Sequence, residues 1–290
     1  MKDRKGLILS GGTGSRLYPI TIGVSKQLLP IFDKPMIYYP LSVLMLAGIK
    51  DIGIIVRPED LGQYKKLLGD GDQWGISLSY IEQPSSDGLA QAFILAENFL
   101  DGSPSALVLG DNLFFGHGLP ELLHAANIRD GASIFAYQVS NPESYGVVSF
   151  DGDSVQSIQE KPENPESDFA VTGLYFFDNH APKLAKKVKP SSRGELEITS
   201  LLEMYMDQGS LTVELMGRGF TWLDTGTYSN LLEAGNFVKT IEERQGLQVS
   251  NLEEIAFRQG WISKEFLIGQ AKKFIQNSYG KYLQKIVDNI

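Results

Sequence analysis

The chain has 290 residues, 42% of them hydrophobic and none of them cysteine, so disulfides, thiol nucleophiles and cysteine-based metal sites are excluded. A formal net charge of −9 argues against a general nucleic-acid or anionic-membrane binder, although a local group of cations can still hold a small phosphate ligand. Because the first residues carry charge and then only a short apolar run, and no run approaches ~20 apolar residues, we expect a cytoplasmic protein without a signal peptide or membrane span.

Short apolar runs alternate with helix-like patterns along the first part of the chain. The predicted strands are residues 6–9, 52–56, 77–81, 106–109 and 134–139, and the predicted helices are residues 36–47, 59–68, 89–99 and 119–126. This alternation is typical of an α/β fold, here a Rossmann-like, mostly parallel sheet with helices on both faces. Ligands of such sheets bind beyond the carboxyl ends of the strands.

From residue 146 the pattern changes. Residues 147–150 and 155–160 predict a hairpin around Asp151-Gly152-Asp153, and residues 171–177 and 211–216 predict two further strands. The predicted helices of the last part are residues 228–243, 252–258, 264–274 and 279–286. We therefore expect a small inserted β region and C-terminal helices. Residues 1–240 would form the α/β domain, and residues 241–290 a helical extension without an independent linker.

A glycine-rich loop follows the first predicted strand, and its residues are Gly11, Gly12, Thr13, Gly14, Ser15 and Arg16. Glycines let the backbone approach a phosphate and point N–H groups at it, and the Arg16 guanidinium suits phosphate oxygens. The dinucleotide fingerprint fails because Leu17 stands where its third glycine belongs, and no Gly-Lys-Ser/Thr follows as in a Walker loop. The alternative is a tight turn that needs glycine for its geometry alone.

A second cation, Lys26, lies close in sequence to this loop. Prolines at positions 30 and 35 force extended or turn geometry, which could hold Lys26 in place. The alternative is a solvated surface lysine. The segment therefore strengthens the phosphate-site hypothesis only in combination with the glycine-rich loop.

The loop 11–17 and the segment 26–30 together resemble the signature of the sugar-1-phosphate nucleotidylyltransferase family, whose members make nucleotide sugars. The subgroup that uses dTTP and glucose 1-phosphate is the more similar one. Further segments follow the family's order across nearly the whole chain: residues 69–71, 83–84, 87–92, 109–112, 160–162, 193–199 and 222–227. Thr13 and Ser15 are exchanged relative to the family's common Ser and Thr, which leaves the backbone loop intact.

Two aspartates follow apolar runs of the sequence. Asp111 comes after the predicted strand 106–109, and Asp224 comes after residues 220–223. Mg²⁺ prefers one or two carboxylates together with waters and phosphate oxygens, so two aspartates at strand ends suit a magnesium site. Taken alone, either residue could serve a turn or a helix N-terminus, and Asp224 could cap the helix that is predicted from Tyr228. The resemblance implies that both aspartates hold Mg²⁺.

The resemblance also implies a reaction and roles for individual residues. An oxygen of glucose 1-phosphate attacks the α-phosphorus of dTTP in line, and pyrophosphate leaves. The implied catalytic residues are Arg16, Lys26, Asp111 and Lys161. The implied nucleotide contacts are Leu9, Gly11, Gly12, Thr13, Gly14, Ser15, Arg16, Lys26, Gln83, Gly88 and Asp111. The implied sugar-phosphate contacts are Asn112, Gly146, Glu160, Lys161, Val171, Arg193 and Glu195. Surface charge or structural pairing is the alternative for Glu160 and Glu195.

Assembly and regulation follow from the resemblance alone. Close relatives in the family are homotetramers with a second nucleotide-sugar site near a subunit interface, which implies feedback by dTDP-rhamnose. The matching residues are Gly116, His117, Gly217, Arg218, Gly219, Val249, Ser250, Glu254, Ile255 and Arg258. Arg218 between two glycines could bind phosphate. The alternative is that residues 217–219 form an ordinary turn.

Other functions stay open beside this one. Thymine and uracil differ by one methyl group, worth only ~1–3 kcal/mol, so a uridylyltransferase of the same family is an alternative. A non-catalytic nucleotide-sugar-binding regulator is another, although such a protein would be expected to lose Arg16, Asp111, Lys161 or Asp224, and all four are present. A nicotinamide dehydrogenase is disfavoured by the missing third glycine. Rhamnose, amino-sugar and other deoxysugar routes share this first step as possible destinations of the product.

Overall fold

A computed structural model describes residues 3–152 and 154–289. Its strands are β1 (Lys5–Leu9), β2 (Pro30–Ile31), β3 (Lys34–Pro35), β4 (Asp51–Val56), β5 (Ser77–Glu82), β6 (Ser105–Leu109), β7 (Asn112–Phe115), β8 (Ala132–Gln138), β9 (Gly146–Asp151), β10 (Ser154–Glu160), β11 (Phe169–Phe177), β12 (Leu211–Met216) and β13 (Thr221–Asp224). Its helices are α1 (Tyr38–Leu46), α2 (Leu61–Leu68), α3 (Gln91–Leu95), α4 (Glu97–Leu100), α5 (Leu119–Ile128), α6 (Ala181–Ala185), α7 (Ile198–Asp207), α8 (Tyr228–Gln245), α9 (Leu252–Arg258), α10 (Lys264–Lys273) and α11 (Ser278–Asp288).

The main sheet has nine strands in the order β5-β4-β1-β6-β11-β8-β12-β10-β9. Strands β5, β4, β1 and β6 are parallel neighbours, and β8 and β12 form a further parallel pair. Strand β11 is antiparallel to β6 and β8, and β10 is antiparallel to β12 and β9. All strands of this sheet except β11 and β10 therefore run in one direction, and the predicted mostly parallel α/β fold is confirmed.

The parallel part of the sheet is buried on both faces because its strands carry apolar side chains at consecutive positions. On β1, Ile8 packs into a cluster with α1, α2, α5 and α9, whereas its neighbour Leu7 packs into the opposite cluster with α3, α6 and α7. Successive side chains of a strand point to opposite faces, so this single strand contributes to both cores. The helical layers leave the carboxyl ends of the parallel strands free for a site.

Three helical regions differ from the sequence prediction, and one of them is the short helix α6, which was not predicted. The predicted helix 89–99 is interrupted at Ala96, which separates α3 from α4. Helix α7 was missing from the prediction, although its buried residues Ile198, Leu201, Leu202 and Tyr205 have helical spacing and could have revealed it.

The hairpin of β9 and β10 forms as predicted, but Asp153 in its expected turn lies outside the described residues. The C-terminal helices also form as predicted. Helix α8 runs without a break across residue 240, where the domain division was placed. Within residues 3–152 and 154–289, no helix is long and apolar enough to cross a membrane.

Candidate active site

A cleft of about 520 Å³ opens at the carboxyl ends of β1 and β6. Of the residues predicted to contact nucleotide, sugar phosphate or metal, those that line it are Leu9, Gly12, Thr13, Gly14, Ser15, Arg16, Lys26, Gln83, Gly88, Asp111, Asn112, Gly146, Glu160, Lys161, Val171, Arg193, Glu195 and Asp224. Gly11 lies directly behind this surface, where an added Cβ would overlap the side-chain amide of Gln83. The fold therefore brings together residues that are distant in the sequence.

The glycine-rich loop leaves β1 and closes in a short 3-10 turn, Ser15–Leu17. Gly14 precedes the turn with φ 65°, a left-handed conformation that glycine adopts at little cost. Its carbonyl oxygen accepts hydrogen bonds from the Leu17 N–H at 2.9 Å and the Thr21 Oγ1 at 2.9 Å. Leu17 is fully buried, whereas Arg16 is exposed. The apolar anchor thus holds the loop while the guanidinium borders the cleft.

A small two-stranded sheet brings the two aspartates together. Strands β13 and β7 are antiparallel, with Asp224 opposite Asn112, the residue after Asp111. The Asp111 carbonyl oxygen accepts hydrogen bonds from the Thr225 N–H at 3.1 Å and Thr225 Oγ1 at 2.8 Å. The helix-cap alternative for Asp224 is wrong, because Thr227 caps α8 through its side chain.

The surroundings of Asp224 disfavour the ionised form of its carboxyl group. Burial raises its pKa, and the neighbouring Asp111 carboxylate raises it further, while Lys26 and Arg16 act in the opposite direction. Lys26 is buried and forms an ion pair with Asp111, so the solvated-lysine alternative is wrong. Two close carboxylates and two cations are suited to binding phosphate oxygens through a metal ion and directly.

Asn112 connects Asp111 to the protein interior. Its Oδ1 accepts hydrogen bonds from the Trp222 Nε1–H at 2.6 Å and the Gly173 N–H at 3.2 Å. These donors fix the amide orientation, so Nδ2 faces Asp111 and donates to its Oδ1 at 3.0 Å. In this structure Asn112 therefore orients the Asp111 carboxylate, in addition to lining the cleft.

The predicted base-contacting side of the cleft is formed by Leu9, Gln83 and Gly88. Gly88 has φ 112°, and an added Cβ would overlap the backbone of Leu196. The Leu196 N–H also donates to the Asp87 carbonyl at 2.6 Å. Only glycine permits this close contact, which joins the base side to the segment that precedes α7.

The opposite side contains the predicted sugar-phosphate contacts. Arg193 Nη2 lies 3.1 Å from Glu160, 3.4 Å from Glu195 and 2.9 Å from Glu197. Glu160 and Glu195 are thus both paired with Arg193. Burial and the Glu197 carboxylate raise the pKa of Glu160, while Lys161, Arg193 and a hydrogen bond from Thr199 oppose that rise.

Strand pairing brings together the remaining predicted sugar-phosphate contacts on this side of the cleft. Gly146 on β9 pairs with Glu160 on β10. A Cβ placed on Gly146 would lie 3.6 Å from Glu160 Oε2 and 3.9 Å from Val171 Cβ, so the three positions converge. Lys161 follows β10 with φ 44° and donates its N–H to the Tyr145 carbonyl at 3.0 Å, while its side chain is half exposed.

Sequence reasoning missed several residues of the cleft. Glu197 is buried and holds Arg193 through two hydrogen bonds, at 3.2 Å to Nε and 2.9 Å to Nη2. Tyr145 and Trp222 also line the cleft, with ring centroids 5.2 Å apart. Glu197 and Trp222 lie in the segments 193–199 and 222–227. The resemblance of these segments to the family was the signal that could have identified both residues. Tyr145 had no comparable signal, because only the chain reversal before β9 brings it here.

The residues implied in regulation lie elsewhere. In the described part of the chain, none of them lines the cleft. Residues 217–219 form a turn, and Val249 and Ile255 are buried in apolar clusters. Glu254 and Arg258 form an ion pair at 2.8 Å and border a second, smaller cleft of about 220 Å³. This grouping alone assigns no ligand.

The fold and the cleft define a nucleotidyltransferase, with a glycine-rich loop, two aspartates and several cations at the carboxyl ends of a mostly parallel sheet. A family model described as nucleotidyl transferase matches residues 5–241, and the chain belongs to this family. It is therefore an enzyme, and its reaction is nucleotidyl transfer.

The predicted resemblance to the thymidylyl-transferring subgroup is confirmed by particular relatives. The chain is 58% identical to a glucose-1-phosphate thymidylyltransferase of Neisseria meningitidis over 98% of this chain and 99% of that one. It is 50% identical to a glucose-1-phosphate thymidylyltransferase of Mycobacterium tuberculosis, with the same shares covered.

Solved structures agree with the fold. A Bacillus anthracis crystal structure, assigned as a glucose-1-phosphate thymidylyltransferase in complex with sucrose, is 40% identical, with a TM-score of 0.74 over 81% of this chain and 94% of that one. A UDP-glucose pyrophosphorylase complexed with UDP-glucose has a TM-score of 0.72 over 82% of this chain and 98% of that one. At 24% identity it supports the fold alone.

Proposed function

We propose that this enzyme transfers a thymidylyl group from dTTP to α-D-glucose 1-phosphate in a Mg²⁺-dependent reaction that releases dTDP-glucose and pyrophosphate. The relatives named glucose-1-phosphate thymidylyltransferase support these substrates. The cleft supports the chemistry, because it pairs a phosphate-suited loop with a separate group of cations and carboxylates for a sugar phosphate.

The reaction needs positioning and charge neutralisation rather than a strong base. An ionised oxygen of the sugar phosphate forms a new bond to the α-phosphorus of dTTP. The bond from that phosphorus to the bridging oxygen breaks, and pyrophosphate leaves with the electron pair. The sugar C1–O bond is untouched, so the anomeric configuration is retained.

The cleft residues would divide this work between the two substrates. Arg16 would bind the leaving pyrophosphate, and Lys26 would bind the triphosphate. Lys161 and Arg193 would hold the sugar phosphate in line with the α-phosphorus. Because Lys161 borders the same cleft as Arg16, the two cations can bring anionic substrates together that would otherwise repel each other.

The observation that carries the proposal is the convergence of four charged side chains. The charges of Asp111, Lys26 and Arg16 all act on the carboxyl group of Asp224. Two neighbouring carboxylates, of which Asp224 has a raised pKa, suit a divalent cation that is completed by phosphate oxygens and water. When bound by Asp111 and Asp224, Mg²⁺ would neutralise charge that develops on the phosphates.

The test is pyrophosphate release in the presence of Mg²⁺, with dTTP, UTP, CTP, ATP and GTP each offered with glucose 1-phosphate. We expect fast release with dTTP that requires both the sugar phosphate and Mg²⁺. Faster release with UTP would identify a uridylyltransferase of the same family. Release with none of the triphosphates, while binding persists, would favour a nucleotide-sugar-binding regulator.

We also propose a homotetrameric, cytoplasmic enzyme that supplies dTDP-rhamnose or a related deoxysugar route and is inhibited by that product. Residues 1–240 would form the nucleotidyltransferase domain, including its sugar-binding part, and residues 241–290 a helical extension. Light scattering tests the tetramer. Purely competitive inhibition by dTDP-rhamnose that Arg218→Ala leaves unchanged would exclude a second site.

A further inference from the structure

A chain of hydrogen-bonded side chains lies behind the Gln83 amide. Gln83 Nε2 donates to Gln91 Oε1 at 2.7 Å, and Gln91 Nε2 donates to Asp87 Oδ2 at 2.7 Å. The backbone N–H of Asp87 also donates to Gln91 Oε1 at 3.2 Å. Gln83 and Gln91 are only 3% and 8% exposed, so water cannot readily replace these partners.

The direction of this chain follows from the chemistry of Asp87. An ionised carboxylate only accepts hydrogen bonds, so Gln91 must turn its NH₂ group towards Asp87. The Asp87 backbone N–H only donates, so the Gln91 carbonyl oxygen faces it. Gln83 must therefore present its own NH₂ group to Gln91. Its Oε1 then lies on the opposite side, against Gly11, where an added Cβ would overlap it.

Backbone hydrogen bonds hold Asp87, the last residue of this hydrogen-bonded chain. The Asp87 carbonyl accepts from the Leu196 N–H at 2.6 Å, and the Ala90 N–H donates to the Leu196 carbonyl at 3.0 Å. Ser85 Oγ donates to Asp87 Oδ2 at 2.7 Å. The Asp87 backbone, which carries the carboxylate that sets the direction of both amides, is thus fixed to the segment before α7.

We propose that Gln91 and Asp87 are positioning residues that hold the Gln83 amide in one orientation, so that the site selects thymine and uracil over cytosine. The inference rests on the proposed function, in which Gln83 contacts the base. Thymine and uracil carry a donor at ring position 3 and an acceptor at position 4, whereas cytosine carries an acceptor at position 3 and a donor at position 4. A freely rotating amide can match either pattern, but an amide with a fixed carbonyl matches only one.

The substitution Asp87→Asn tests the direction directly. It preserves shape, but a carboxamide can donate as well as accept, so only the backbone N–H of residue 87, at 3.2 Å from Gln91 Oε1, still opposes a turnover of the Gln91 and Gln83 amides. The double substitution Asp87→Asn with Gln91→Glu restores an acceptor-only group next to Gln83, because the new glutamate accepts from both neighbouring NH₂ groups. Ser85→Ala is the matched control, since Ser85 contacts the Asp87 carboxylate without joining the amide chain.

Calorimetric binding of dTDP, UDP and dCDP measures the discrimination without requiring turnover. We expect Asp87→Asn to lower the ratio of dTDP to dCDP affinity by about tenfold or more, partly through tighter dCDP binding. The double variant should recover the ratio, and Ser85→Ala should retain it.

Two results would overturn the inference in distinguishable ways. Equal weakening of dTDP and dCDP in the Asp87→Asn variant, with an unchanged ratio, would reduce Asp87 to a structural residue and leave the proposed function intact. A wild-type protein that binds neither dTDP nor UDP would remove the proposed function, and the inference with it.

Discussion

Replacing Arg193 by methionine should destabilise the protein before any substrate is added. Arg193 is the cation among Glu160, Glu195 and Glu197, and its Nη2 atom lies within 3.4 Å of all three carboxylates. Methionine keeps much of the aliphatic stem but leaves three negative charges facing one another. The substitution therefore separates the electrostatic contribution of Arg193 from its packing.

The expected magnitude lies between two limits. Removing one partner of a buried ion pair costs about 3–5 kcal/mol, whereas an exposed pair is worth about 0–1 kcal/mol. The Arg193 side chain is 39% exposed and Glu197 only 7% exposed, so solvent screens part of the loss. We expect the free energy of unfolding to fall by about 1–3 kcal/mol near neutral pH.

The loss should also depend on pH. The Glu160 pKa is already raised in the folded protein. Ionisation of Glu160 therefore lowers the free energy of unfolding as the pH rises above the ordinary pKa of a glutamate. Removal of Arg193 raises that pKa further, so the difference between variant and wild type should grow with pH and shrink on acidification.

Urea denaturation at about pH 5.5 and about pH 8 measures both effects. Lys186→Met is the control, because it removes an ion pair with Glu97 in which both side chains are about half exposed. A cost for Arg193→Met that equals the control's, or that is the same at both pH values, would refute the reasoning.

Three further substitutions have distinct expected results. Asp111→Asn should lower turnover about 10²–10³-fold without unfolding the protein, and near-normal turnover at saturating Mg²⁺ would remove Asp111 from the metal site. Lys161→Ala should raise the KM for glucose 1-phosphate about tenfold in initial-rate assays, and intact sugar-phosphate affinity and turnover would contradict its role. Gly88→Ala should cost about 1–3 kcal/mol in urea denaturation because its Cβ would overlap the Leu196 backbone, whereas Gly12→Ala has open space; equal costs would contradict the steric account.

The elements that the sequence predicted best are those with local signals. Strand β1 and the loop after it combine a short apolar run with glycines, and both are determined within a few residues. The predicted helix 89–99 failed at Ala96, because a run of good helix formers contains no local signal for the break between α3 and α4. Tertiary packing decided that boundary.

The candidate site also combines features that the sequence indicated with features that only the tertiary structure decided. Residue type and order made the glycine-rich loop a candidate phosphate site, whereas the roles of Lys26 and the two aspartates were implied by the family resemblance. Only the antiparallel pairing of β7 with β13 brought Asp224 beside Asp111.

The amide orientation of Gln83 likewise depends on Gln91 and Asp87 meeting across a turn. By itself the sequence determined which chemical groups this protein carries and the order of most of its strands and helices, since both depend on residue type and short-range periodicity. The tertiary structure alone decided which groups form ion pairs and hydrogen bonds. Such interactions require contact within a few ångströms between residues that are far apart in the chain.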